Sequence, residues 1–546
     1  TAYENGYTIG IYYDNEFISV PKVSAHITDG NAVINGMSDY QTADNIASTI
    51  RIGALPVKLE EVRSQVVGAK LGQDAIHTSL LAGAIGLAVI ILFMIIVYRI
   101  PGLAASIALC IYTMLVLIII NVAGLTFTLP GIAGIILSIG MAVDANVIIF
   151  ERIKEELGTG KTVQSAMKIG FNKAFSAIFD GNITTLIAAF VLGLKGSGAV
   201  KGFAYTLAIG IIVSMFTALV ITRLLLKLFY DFGAKNEQLY GVIKDTKTFN
   251  FIGKKNIFFC ISAALILIGI VTVSVNGARG KGMFNYGLDF KGGTSTTVTF
   301  NQDYSQSEIE STIIPDIVSA IGDSTVQQQK VQGGNDVVFK TNNLTIEQRE
   351  ALEKLFTSKY GVEQSSILTE NISGAVSNEM KTDAVVAVII ATICMLLYIW
   401  FRFKDIRFAG SAVLALLHDV LVVVGFYAVA RITLGNTFIA CMLTIVGYSI
   451  NATIVIFDRI RENLGQMGKA DLAEIVNASI SQTMRRSVYT TLTTFIMVVI
   501  LFILGVSAIR EFAAPLMVGI ICGGYSSVCI TGALWYVLKK GVKKNK

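Results

Sequence analysis

The sequence predicts a polytopic α-helical membrane protein. It is read as two parallel-repeated six-helix halves, the first lacking its leading helix, with α+β extracytoplasmic domains of which the second is ferredoxin-like βαββαβ. Three observations predict this. Of 546 residues, 53% are hydrophobic and only 15% charged, against about 45–50% and about 25% in ordinary soluble domains, which excludes a soluble globular enzyme. The apolar residues gather in runs of about twenty or more, long enough to cross a hydrocarbon core about 30 Å thick. The chain also resembles itself at an offset of about 307 residues.

Residues 1–75 are polar and read as the remaining base of a first extracytoplasmic domain, with strand-like pieces at Tyr7–Tyr13 and Ala32–Asn35 and a helix opened by the capping-box spacing Ser38…Gln41. Residues 76–229 carry five spans, near 77–98, 102–124, 128–150, 174–194 and 200–228, and a basic linker occupies 230–255. A sixth span covers 256–275. Residues 276–380 form the second polar domain: a strand at Ser295–Phe300, a helix with the capping box Ser305…Glu308, strands around Val326–Val331 and Asp336–Lys340, a capped helix from Thr345…Gln348, and a last strand near Glu363–Leu368. That order is β-α-β-β-α-β. Residues 381–546 hold spans near 382–402, 408–430, 436–457, 486–505 and 512–538, then a Lys-rich tail, giving eleven spans in all.

The net charge of +6 reflects topology and not nucleic-acid binding. Short loops carry Arg99, Lys154, Lys161, Lys168, Lys173, the run Lys235 to Lys255, Arg402, Lys404, Arg407, Arg459, Arg461 and Lys469, so the positive-inside rule makes them cytoplasmic. Both polar domains then lie outside and the tail inside. An external region ahead of the first span requires a preceding helix to carry it across, so the chain is expected to have lost its beginning before Thr1 and to number twelve spans when whole. The six cysteines lie in or beside apolar runs without CxxC spacing, which suggests neither a structural disulfide nor a zinc site.

The repeat locates the chemistry. Asp144-Ala145-Asn146-Val147-Ile148-Ile149-Phe150-Glu151-Arg152-Ile153 parallels Asn451-Ala452-Thr453-Ile454-Val455-Ile456-Phe457-Asp458-Arg459-Ile460, and Asp180 falls in register with Arg486. Parallel repeats are typical of transporters that place ion sites between their halves. Asp144 lies ten residues before Lys154, hence about 15 Å inside the cytoplasmic boundary. A charge there costs at least about 2.5 kcal/mol, and burial disfavours the ionised form of a carboxyl, so a proton-carrying acid is favoured over a structural carboxylate. Asp180 and Arg486 invite pairing across the interface, as a switch or as a staple, and Arg485 could substitute but is out of register. His418-Asp419 reads as a locally satisfied polar pair in preference to a proton path. Glu151-Arg152 and Asp458-Arg459 read as snorkelling ends with no transport role. Gly83, Gly86, Gly523 and Gly524 read as close-packing sites. Asn146, Thr453 and Ser449 could ligate either H+ or Na+, so spacing leaves the coupling ion open. There is no GxxxxGK[ST] motif for nucleotide hydrolysis.

With these residues in view, the chain resembles the SecD/SecF family of protein-export membrane proteins, the two partners joined in one polypeptide, within the resistance-nodulation-division superfamily. Gly140-Met141-Ala142-Val143-Asp144-Ala145-Asn146-Val147 with Glu151-Arg152-Ile153-Lys154-Glu155-Glu156 looks like the SecD signature, and Gly53-Ala54-Leu55-Pro56 resembles the base of its external domain. Val446-Gly447-Tyr448-Ser449-Ile450-Asn451 with Asp458-Arg459-Ile460-Arg461-Glu462-Asn463 looks like the SecF signature, and Gly287-Leu288-Asp289-Phe290-Lys291-Gly292-Gly293-Thr294 resembles the opening of the SecF external domain. The resemblance implies a proton-driven accessory of the Sec translocon in the bacterial cytoplasmic membrane. It would act with SecYEG, other accessory membrane proteins and unfolded preprotein after the SecA motor, with H+ as coupling ion, or Na+ in some members, and with no other cofactor. It also implies that Asp144 carries the ion and that Asp180, Arg486 and Asn451 belong to the same site.

Two departures accompany it. The leading helix and the mobile head of the first external domain are expected to be absent before Thr1. The family motif has an aspartate directly after the asparagine, where this chain has Ala452. A one-residue loss inside an otherwise intact motif reads as a substitution, which would leave the chain coupling-deficient, with natural divergence as the alternative. Two other functions stay open on the sequence: a proton-driven small-molecule exporter of the same superfamily, which the compact second domain disfavours, and a non-transporting scaffold of the translocon.

Overall fold

The computed structural model describes residues 3–13, 16–26, 33–37, 39–53, 63–67, 69–196, 198–242, 247–280, 282–330, 335–467 and 470–544. The chain divides into two units, Thr1–Glu61 and Val62–Lys546.

In the first unit, strands β1 (Ile11–Tyr13) and β2 (Glu16–Ser19) pair antiparallel, and a helix α1 (Tyr40–Gly53) follows. Asp39 caps α1, its carboxylate accepting from the Thr42 amide at 2.7 Å and the Thr42 hydroxyl at 3.1 Å. The capping box expected from Ser38 lies outside the described residues, as do Ala54 to Pro56. The expected strand at Ala32–Asn35 does not form over its described residues 33–35.

In the second unit, strand β3 (Arg63–Val67) leads into α2 (Ala69–Tyr98), α3 (Ile100–Val122), α4 (Leu129–Gly158), α5 (Val163–Lys195), and a fifth span made of α6 (Ala199–Phe216) and α7 (Thr222–Asp231) joined by a π-helical stretch at Thr217–Ile221. Helix α8 (Lys255–Ala278) returns across the bundle, crossing its neighbour where Gly269 would place a Cβ 2.8 Å from the Gly425 Cα. The second polar domain follows: β4 (Asn285–Tyr286), α9 (Leu288–Lys291), β5 (Gly293–Thr299), α10 (Gln306–Glu308), α11 (Ile314–Ile321), β6 (Gln327–Lys330), β7 (Asp336–Thr341), α12 (Ile346–Tyr360) and β8 (Ile367–Ile372). Five more spans complete the chain: α13 (Gly374–Phe403), α14 (Ile406–Ala430), then after β9 (Thr433–Leu434) α15 (Asn436–Gln466), α16 (Leu472–Leu504), and α17 (Ser507–Tyr525) continued by a π-helical stretch Ser526–Thr531 into α18 (Gly532–Lys544). All eleven expected spans are present among the described residues. Both halves end on a span interrupted by a π stretch at equivalent positions, so the repeat extends to a backbone irregularity that sequence comparison did not single out.

Four helices outrun their apolar cores. α4 and α15 continue to Gly158 and Gln466, and α5 and α16 begin at Val163 and Leu472. These added turns are polar, so hydropathy does not register them. They pack on one another beyond the apolar zone.

Both capping boxes expected in the second domain form, at Ser305/Glu308 and Thr345/Gln348. Its sheet has the order β3-β8-β5-β7-β6. The last four strands give the ferredoxin-like arrangement, closed over a core that includes Val298, Ile313, Phe339, Leu352 and Phe356. The final strand sits four residues later than the sequence indicated, at Ile367–Ile372, and its edge is covered by β3, which pairs antiparallel along its length. An unpaired edge strand is open to association, and a segment from before the first span closes it.

Gly292 and Gly293 occupy left-handed backbone, with φ +75° and +117°. A Cβ at Gly293 would stand 2.4 Å from the Thr341 carbonyl oxygen, so the turn into β5 requires glycine. Just before it, Asp289 accepts 2.9 Å hydrogen bonds from both the amide and the side chain of Asn436, the first residue of α15, while β4 pairs with β9. The start of the domain is thereby latched to the start of α15. Burial pushes the Asp289 carboxyl upward, and burial followed by the Asp289 charge does the same to Glu370, which Arg63 holds at 2.8 Å. The folded latch therefore binds protons more readily than the unfolded chain. Its contribution to stability is full below the ordinary carboxyl range and is lost as pH rises through the raised values. Thermal unfolding of this domain followed from pH about 4 to about 8 should show that fall, and Asp289→Asn should flatten it.

Candidate functional site

The two most enclosed spans are α4 and α15, each with 89% of its apolar window buried. They form the central pair, flanked by the helices that pack on them. Repeat-equivalent glycines bring those flanks close. Gly140 on α4 faces the Thr494 Cα of α16, 3.2 Å from a would-be Cβ, and Gly447 on α15 faces the Thr185 Cα of α5 at 3.1 Å. Small residues at such crossings let membrane helices approach to backbone contact.

Half-way along α4 and α15, Asp144, Ile148, Tyr448, Asn451, Ala452, Val455, Arg486, Ser487 and Thr490 enclose a void of ≈ 10 Å³, the room one water needs. Asp144 is 5% exposed and its Oδ1 has no hydrogen-bond partner; Arg486 is 7% exposed and its Nε and Nη2 have none. A carboxylate and a guanidinium thus share one cavity, both buried and neither engaged. Removing one partner of a buried ion pair leaves the other at a cost of about 3–5 kcal/mol, and Ala452 lines the same void as the unengaged guanidinium. The void thus holds one acid and one guanidinium, with Ala452 beside them.

Asp180 does not pair with Arg486. It is 4% exposed and accepts from Arg402 Nε at 2.6 Å and Tyr398 Oη at 2.8 Å, with Ser176 bridging to the same guanidinium. The repeat symmetry explains the difference. Asp180 sits on α5, packed on α15 and α13, whereas Arg486 sits on α16, packed on α4 and α2, so the two repeat-related helices fall on opposite flanks of the central pair. Asp180 is a held carboxylate one helix away from the void. Its neighbour Gly181 reaches the void indirectly, for a Cβ there would stand 1.9 Å from Asn451 Oδ1. Neither Gly181 nor the Arg402–Tyr398 clamp was singled out from sequence; the signal for Gly181 was its place beside Asp180 in the repeat. Gly181→Ala should displace Asn451 and destabilise the protein by about 1–3 kcal/mol, read as a lowered Tm.

Of the other oxygen ligands considered, Ser449 turns away from the void and donates to Asp419 at 2.5 Å. Asn146 and Thr453 are buried but do not line the void.

Arg152 and Arg459 are not snorkelling ends. They are 7% and 9% exposed and exchange partners across the repeat: Arg152 bonds Glu462 at 3.0 Å and its own-helix Glu155 at 3.1 Å, while Arg459 bonds Glu155 and, at 3.1 Å, its own-helix Glu462. Arg152, Glu155 and Arg459 with Ile148, Glu151, Gln482, Thr483 and Arg486 enclose a second void beneath the first. Arg486 borders both. The network therefore closes the end of the central pair remote from the ferredoxin-like domain. Arg152→Ala should cost about 3 kcal/mol or more, and Arg152→Ala with Glu462→Ala should fall short of additivity by roughly 1 kcal/mol or more, both read from unfolding of the solubilised protein.

Comparison with known proteins agrees with this architecture. Residues 51–231 and 351–541 match the family described as protein export membrane protein SecD/SecF, C-terminal, and residues 284–303 match the SecD/SecF GG motif. Residues 1–57 match the SecDF P1 head subdomain, so the part of the first polar region that its sequence suggested to be base, with the head absent, is over those residues similar to head. The protein translocase subunit SecDF of Bacillus subtilis is 38% identical over 550 residues, covering 96% of this chain and 72% of that protein. A crystal structure of SecDF from Thermus thermophilus, described as a translocon-associated membrane protein, superposes with a TM-score of 0.81 at 37% identity, covering 99% of this chain and 72% of the other. A second SecDF crystal structure, described as a super-membrane-facing form, gives 0.70 at 36% identity, covering 100% and 73%. On this coverage and identity, the chain belongs to the SecD/SecF family of protein-export membrane proteins.

Proposed function

We propose that this multi-pass membrane protein is an accessory subunit of the Sec protein translocase, and that ion movement past Asp144 drives its extracytoplasmic part to promote late preprotein translocation. It works on transport and not on covalent chemistry. The observation that carries the reading is the mid-bundle void in which Asp144 and Arg486 face each other unengaged. H+ is the coupling ion we favour, because the void has room for about one water and two titratable or charged groups rather than a shell of oxygens. Both polar domains lie on the extracytoplasmic side and the C-terminus on the cytoplasmic side, following the positive loops. The partners are the SecYEG channel and unfolded preprotein.

The geometry supports a route from ion to domain. A proton reaching Asp144 removes a charge beside Arg486, which changes what the central pair must accommodate. α15 contributes Asn451 and Ala452 to the void, and its first residue is bonded to Asp289 at the start of the ferredoxin-like domain. One proton crossing 100 mV supplies about 2.3 kcal/mol, a bias of roughly 50-fold between two states, enough to shift a swinging domain.

The test is preprotein release in inverted membrane vesicles containing the Sec channel and the Ala452→Asp form of this chain, with SecA action stopped after partial translocation. A proton gradient should speed completion, and Asp144→Asn should remove the effect. Completion that ignores both gradient and Asp144 would overturn the reading.

A further inference from the structure

The most buried carboxylate among the described residues lies elsewhere. Asp419, at 0% exposure, sits near the middle of α14 on the opposite side of α15 from the Asp144 void. One oxygen, Oδ2, accepts from Ser449 of α15 at 2.5 Å and from Ser526, the first residue of the π-helical stretch after α17, at 2.7 Å. The other, Oδ1, lies 2.9 Å from His418 Nδ1 and 3.2 Å from Cys522 Sγ, and those two atoms are 3.9 Å apart. His418 is 7% and Cys522 6% exposed.

A nitrogen, an oxygen and a sulfur of three different side chains converge, with all donor atoms within 4.8 Å of one another. Zinc bonds of about 2.0–2.3 Å in tetrahedral geometry put ligand atoms about 3.3–3.6 Å apart. The three separations here straddle that range. Imidazole, carboxylate and thiolate suit borderline d-block cations rather than Na+ or Mg2+. The charges also balance, since a divalent cation with one carboxylate, one thiolate and a neutral imidazole sums to zero, the condition a mid-membrane site must meet. The two serines hold the carboxylate by its outer oxygen, the orienting role that residues behind metal ligands perform.

We propose that His418, Asp419 and Cys522 bind a divalent d-block cation of the zinc type, tying α14 to α17 beside α15. Binding converts the Cys522 thiol to thiolate, and the released proton leaves with solvent or a neighbouring base. Cysteine spacing carried no metal signal because the ligands come from two spans about a hundred residues apart in sequence.

The test uses the full chain expressed in medium supplemented with Co2+ or Zn2+, so that the ion enters during folding, and then purified. The expected result is one bound ion per chain by elemental analysis and, with Co2+, a thiolate-to-metal charge-transfer band. Both should disappear in Cys522→Ser, which keeps the other five cysteines, and Ser526→Ala should lower affinity about 10–100-fold. Should Cys522→Ser not fold, Ser526→Ala alone decides the matter by its affinity. Absence of bound ion in the folded protein, a band that survives Cys522→Ser, or unchanged affinity in Ser526→Ala would each overturn the proposal.

Discussion

Ala452→Asp is expected to raise gradient-dependent proton flux through this chain by about 10-fold or more. The reason is electrostatic. Arg486 is buried with two N–H-bearing nitrogens unengaged, and Ala452 lines the void they border. A carboxylate at 452 supplies a counter-charge and completes a site with two acids around one guanidinium. With only Asp144 present, moving a proton onto that acid leaves Arg486 as an isolated buried charge, and a penalty of several kcal/mol attaches to that state. Relieving as little as about 1.4 kcal/mol of it at the barrier is tenfold in rate. The same substitution should raise thermal stability, because hydrogen bonds to charged groups contribute about 1.5–3 kcal/mol. If flux and Tm both stay unchanged, the unengaged guanidinium is not waiting for an acid at this position.

Asp144→Asn, made in the Ala452→Asp chain, is expected to abolish that flux while leaving the fold intact. Asn matches the carboxylate in shape and can accept the same contacts, yet it takes no proton. Asp144 is 5% exposed and its Oδ1 has no hydrogen-bond partner, so Asn breaks no bond at that oxygen. A protein that folds and exports poorly would separate the ion role from a scaffold role. A protein that fails to fold would show that the carboxylate holds helices together.

Much of this was legible in the sequence. Span number followed from apolar runs, the repeat singled out Asp144 with Asn451 and Asp180 with Arg486, and the structure brings Asp144, Asn451, Ala452 and Arg486 into one void. The ferredoxin-like unit was readable because its two capping boxes and its strand alternation are local signals. What escaped is non-local or polar. β3 completes the sheet through pairing partners about three hundred residues apart, and no single strand announces such a neighbour. The polar turns that extend α4, α5, α15 and α16 carry no hydropathy signal because hydropathy scores residue type and not the partners, such as Glu462 for Arg152, that another helix supplies. Arg152 and Arg459 looked like interfacial anchors, since burial of an arginine depends on carboxylates supplied by another helix. Register matched Asp180 with Arg486, but they lie on α5 and α16, which a pseudo-twofold axis places on opposite flanks with helix ends 309 residues apart, so the offset of 306 does not bring them into contact.

The central claim is that one ion site lies between α4, α15 and α16 and that Asp144 is its carrier. Proton uptake into proteoliposomes under an imposed gradient, compared between the Ala452→Asp protein and its Asp144→Asn derivative, tests it most directly. Flux in the first and none in the second is the predicted result. Equal flux in the two, with both proteins folded, would contradict it.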